Sequence, residues 1–107
     1  MSALVYATML SNLRDFARAY GYCLAVHGSM QTDLDLVAIP WIENAKDPHE
    51  FIRDMCETFD LAVFERDTPN PQEKPHGRLS WGLQSSSLGL KYAGQTYIDI
   101  SVMPMKV

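Results

Sequence analysis

The chain has 107 residues, enough for one domain that buries roughly two-thirds of the surface its unfolded chain exposes, and too few for a second core. With 47% hydrophobic and 21% charged residues it has the composition of an ordinary globular protein, with no bias toward disorder, a collagen-like repeat or a coiled coil. A formal charge of -4 gives no general attraction to a phosphate backbone, so it argues against a non-specific nucleic-acid binder; any such contact would be local or metal-mediated.

From about Ala3 to Tyr20 the apolar residues Tyr6, Met9, Leu10, Leu13, Phe16, Ala17 and Tyr20 recur at helical spacing, with Asn12, Arg14, Asp15 and Arg18 on the other side. This predicts an amphipathic helix, ended by Gly21. The period then changes. Tyr22-Cys23-Leu24-Ala25-Val26-His27 is a short apolar run that reads as a strand buried on both faces and stopped at Gly28-Ser29. Asp33 to Ile39 reads as a second strand, closed by Pro40, which cannot donate to a ladder.

Asp47-Pro48-His49-Glu50 has the cap, first-turn proline and third-position acid of a helix start. That helix should run to about Phe59, with Phe51, Ile52, Met55 and Phe59 on its buried stripe. Leu61 to Phe64 reads as a short strand. Arg66 to Pro75, with three prolines and little apolar surface, reads as an exposed loop. Arg78 to Gln84 alternates, placing Leu79, Trp81 and Leu83 on one face and Arg78, Ser80 and Gln84 on the other. Ser85 to Gly94 is a turn-forming segment, and Tyr97 to Met103 is a strand completing an antiparallel pairing. The expected architecture is a single α+β domain over residues 1–107: a mixed, largely antiparallel sheet with two amphipathic helices packed on one face.

Alternation sorts the acids of these strands. Asp33 and Asp35 project together while Leu34 and Leu36 enter the core, and Tyr97, Asp99 and Ser101 share one face of the last strand. An Asp in the middle of an apolar strand loses hydration on folding and calls for a partner, and acids side by side repel each other. A divalent cation removes that conflict, and Mg²⁺ is commonly held by one or two carboxylates plus substrate phosphates. Phosphoryl and nucleotidyl transfer uses metal ions in this way. Gly28 and Ser29, at a strand end, suit a close backbone approach to a phosphate.

The order strand, Gly28-Ser29, Asp33-Leu34-Asp35-Leu36, with Ile98-Asp99-Ile100 on a later strand, resembles the nucleotidyltransferase superfamily that includes polymerase-β-like enzymes. The resemblance covers roughly Phe16 to Ile39 and the final strand. It implies that Gly28 and Ser29 contact nucleotide phosphate, that Asp33 and Asp35 ligate Mg²⁺, and that Asp99 completes the metal site and acts as or assists the base. Lys74, His76 and Arg78 can steer a triphosphate toward the acids, Arg78 being assigned to the nucleotide, while the plainer reading of a charged loop leading into a strand is solvated surface. Members of the superfamily place a longer segment between Gly-Ser and the first Asp, whereas here only Met30, Gln31 and Thr32 intervene. The implied reaction is transfer of a nucleoside monophosphate from an NTP to an acceptor. The His-Gly-Ser, Asp-Leu-Asp-Leu and Ile-Asp-Ile-Ser-Val-Met-Pro segments also resemble those of small phage and prophage proteins, so the rival expectation is a non-catalytic anti-defence or regulatory protein that binds a protein partner and retains the fold.

Plainer readings apply to other residues. Asp33 and Asp35 can serve as a solvated face that resists aggregation. His27 reads as a packed or supporting residue, His49 as exposed, and Trp41 and Trp81 as core or edge packing. Cys23 and Cys56 read as buried free thiols. Met1 to Val5 carries no basic stretch and no apolar run approaches the ~18 residues of a membrane span, so the expectation is a cytoplasmic protein with no membrane partner.

Overall fold

A computed structural model describes residues 3–28, 33–85 and 97–105. The elements run α1 (Ala3–Ala19), β1 (Tyr22–His27), β2 (Leu34–Pro40), α2 (Pro48–Phe59), β3 (Leu61–Val63), β4 (Gln72–Lys74), β5 (Arg78–Ser85) and β6 (Tyr97–Val102), with 3-10 turns at Glu65–Asp67 and Pro75–Gly77. The predicted Ser85–Gly94 turn falls, beyond Ser85, outside the described residues. The two helices and the mixed, mostly antiparallel sheet match expectation. Neither helix is long and apolar enough to cross a membrane.

The start of α2 and the end of α1 have local causes. The Asp47 carboxylate accepts from the His49 and Glu50 amides at 3.0 and 3.2 Å, capping α2 as its sequence predicts. Gly21 ends α1 at φ +91°, a left-handed conformation, and a Cβ there would lie 2.8 Å from Ala45 Cα, so both backbone and space require glycine.

The sheet order is β1-β2-β6-β5-β3, with β4 also on β5. β2 and β6 run parallel, and the other pairs antiparallel. β6 therefore enters the middle of the sheet from the far end of the chain. Leu34, Leu36 and Ala38 of β2, Ile98, Ile100 and Val102 of β6 and Trp81 and Leu83 of β5 form one core with Leu13 and Ala17 of α1 and Phe51, Ile52 and Met55 of α2. A Phe51 ring stacked on Tyr22 at 4.4 Å joins α2 to the β1 side of this core. The helices thus cover one sheet face, and the alternate residues of the same strands form the other.

Three expectations are corrected. β1 is an edge strand buried on one face only, with burial alternating along Tyr22, Cys23 and Leu24; Cys23 and Ala25 are apolar but small, which hides the alternation in the sequence. Cys23 is exposed, and Cys56 is half-buried, its thiol pushed up to about 11 by burial. The span from Arg66 to Pro75 holds β4 and a carboxylate, Asp67, that is 2% exposed and accepts from the Gly82 amide at 2.7 Å and Gln72 Nε2 at 3.0 Å. Beside it the Phe64 ring packs directly over Gly82, where any side chain would collide with it.

Candidate functional site

The helix-free sheet face carries the acids. The parallel register sets Asp35 level with Asp99 on the adjacent strand, and the antiparallel β1 register sets His27 opposite Asp35. The alternation rule put these carboxylates on one face, and they are on one face. Asp35 is half-buried, whereas Asp33, one residue before β2, and Asp99 are exposed. Burial pushes the Asp35 carboxyl up from its ordinary value, the charges of Asp33 and Asp99 push the same way, and His27 opposes them.

Around the pair lies a shallow depression of about 200 Å³ lined by His27, Asp35, Arg78, Asp99 and Ser101, among others. Ser80 Oγ donates to Asp99 Oδ1 at 3.2 Å. Arg78 donates through Nε to the Pro75 carbonyl and through a terminal nitrogen to Ser101 Oγ, each at 3.3 Å, which holds its guanidinium along the sheet beside the acids. Ser80 and Ser101 were not assigned from sequence. Their signal was there: each lies on the same alternating face as an assigned residue.

Gly28 ends β1 at φ +76°. A Cβ on it would stand 3.6 Å from Asp35 Oδ2, an ordinary contact, so its backbone conformation and not lack of room asks for glycine. The glycine corner and the acids are neighbours. Ser29 lies outside the described residues. Lys74 and His76 are exposed at the Arg78 end of β5, and only Arg78 of that basic group lines the depression. Trp81 is buried with the His49 ring edge-on at 5.5 Å, but Trp41 is 76% exposed, which corrects its assignment to packing.

Asp35 and Asp99 are thus brought together, with Asp33 acting on Asp35 through its charge. Among the described residues no three His, Cys, Asp or Glu side chains form a ready-made metal nest. The pair itself fits Mg²⁺, which takes one or two carboxylates when phosphates supply the other oxygens. Burial first and the neighbouring acids second lift Asp35, and a cation would relieve the acids' part. No family model, characterised protein or solved structure matches the chain.

Proposed function

We propose that the chain binds a nucleoside triphosphate with Mg²⁺ over its open sheet face and transfers the nucleoside monophosphate to an acceptor, the acceptor bonding to the α-phosphorus as the α–β phosphoanhydride breaks and pyrophosphate leaves, as nucleotidyltransferases do. The observation that carries this reading is the level pairing of Asp35 with Asp99, with Gly28 against the first and Arg78 beside the second. Asp35 and Asp99 would hold the ion, with Asp33 adding its charge from the rim. When bound, the ion neutralises charge on the transferring phosphoryl group. Gly28 offers its backbone N–H to phosphate, Arg78 balances its remaining charge, and Asp99 takes up the acceptor's proton.

Thermal melting with Mg²⁺ or Mn²⁺, alone and with ATP, GTP, CTP or UTP, tests this. At a nucleotide concentration a hundredfold above its Kd the stabilisation should be about 2.7 kcal/mol. Asp35→Asn and Asp99→Asn should fold and lose that gain. If no nucleotide stabilises the native chain in the presence of metal, the reading fails.

A second reading, a non-catalytic interaction protein of the anti-defence kind, is favoured by one observation: Trp41, Ile42 and Ile39 together leave large apolar surface in water.

A further inference from the structure

The two edges of the sheet are built differently. On one side β3 and β4 have three residues each and are interrupted by Pro69 and Pro71, features that keep an edge from pairing with another chain. On the other side β1 pairs six residues with β2 in unbroken register, and from Tyr22 to His27 it has no proline, lysine or acidic residue. Among the described residues β1 pairs only with β2, so its outer N–H and C=O groups form an unblunted template.

What flanks that edge is specific. A cavity of about 420 Å³ lies against the first half of β1, lined by Tyr22, Cys23, Leu24, Arg14, Arg18 and Trp41. Arg14 has no ion pair among the described residues. The Arg18 pair with Asp15, at 3.4 Å, joins two side chains that are 76% and 71% exposed, and such pairs hold weakly enough to exchange partners. Two guanidiniums and an exposed indole at a free strand edge, in a chain of net charge -4, are a local exception to its acidity. Trp and Arg are also the residues that dominate binding energy at interfaces.

We propose that β1 is the docking edge for an extended acidic segment of a partner protein, which adds to the sheet as a strand. Its main chain pairs with β1, its carboxylates meet Arg14 and Arg18, and an apolar side chain packs on Trp41. A second copy fits less well, because its own β1 has no carboxylate between Tyr22 and His27 to meet the guanidiniums. A nucleic-acid backbone lacks the alternating donors and acceptors that complete a strand ladder. The cavity beside this edge shares no lining residue with the nucleotide depression, so either proposal can fail without the other.

The test uses the full chain and two short blocked peptides, one alternating glutamate with valine and one alternating lysine with valine. The acidic peptide should slow hydrogen exchange at β1 amides and change the fluorescence of Trp41, and the lysine peptide should do neither. Trp41→Ala should weaken binding about tenfold. Arg14→Glu with Arg18→Glu should abolish acidic binding, and because both side chains are on the outer side of α1 the melting temperature should stay near that of the native chain. Equal binding of both peptides, no protection of β1, self-association that protects β1 without peptide, or displacement of the peptide by single-stranded oligothymidylate would each overturn the proposal.

Discussion

Asp35 carries a conflict that the fold leaves unresolved. Its carboxyl is raised by burial and by two neighbouring acids, so the folded chain holds that proton more tightly than the unfolded chain does. The ionised group therefore costs stability above the folded pKa, and the cost fades as pH falls through that value toward the ordinary carboxylate range. Asp35→Asn should raise the melting temperature in chelator at pH 7, and the gain should fade as pH falls into the ordinary carboxylate range, near about pH 4. An unchanged or lower melting temperature at pH 7 would show that the repulsion is already relieved. Asp67 is the opposite case, a buried acid engaged by the Gly82 amide, Gln72 and the Arg66 guanidinium. Asp67→Ala strands that buried amide and should cost about 2–3 kcal/mol in urea unfolding, whereas Asp67→Asn, which keeps an acceptor oxygen, should cost less. Equal losses would mean that the carboxylate's charge, and not its acceptor atom, holds the segment. The same contrast explains what the sequence disclosed. Asp35 and Asp99 could be read because strand alternation assigns faces, but Asp67 sits between prolines with no periodicity to reveal that its side chain turns inward.

Between elements, α1 and α2 are joined by the Tyr20 hydroxyl, which donates to Asp54 Oδ2 at 2.5 Å. That hydrogen bond lowers the Asp54 carboxyl and raises the Tyr20 hydroxyl. The Asp54 contribution is present above the ordinary carboxylate range and is lost as pH falls through its lowered value. The Tyr20 contribution is present below about pH 10 and is lost as pH rises through its raised value. Tyr20→Phe should therefore lower the melting temperature by a margin that is flat from about pH 5 to 9 and narrows on both sides. A margin independent of pH would assign the loss to packing against Phe16, whose ring stacks on Tyr20 at 4.6 Å. At this scale α2 was the most legible element, since cap, proline and apolar stripe are all written in neighbouring residues. β4 was not, because three polar residues become a strand only by pairing with Arg78–Ser80.

Across the whole molecule the feature hidden from sequence is the place of β6. Alternation gave its two faces, and the antiparallel neighbour β5 was expected, but nothing local says that it also lies parallel to β2. That pairing closes a long loop of chain, and it also brings Asp99 level with Asp35. The site is thus legible in its residue types and illegible in its register. Position in the sheet then sets local stability. β6 is flanked on both sides and its Ile98, Ile100 and Val102 are each no more than 1% exposed, whereas among the described residues β1 and β3 are each paired on one side. Native-state hydrogen exchange should find the amides of Ile98 to Val102 opening only with global unfolding, and those of β1 and β3 opening at lower free energy. Ile100→Val should lower the β6 opening free energy and the global stability together, by about 1 kcal/mol. If β6 exchanged ahead of β1, the central parallel pairing would be wrong, and with it the alignment of the two carboxylates on which the nucleotide site is built.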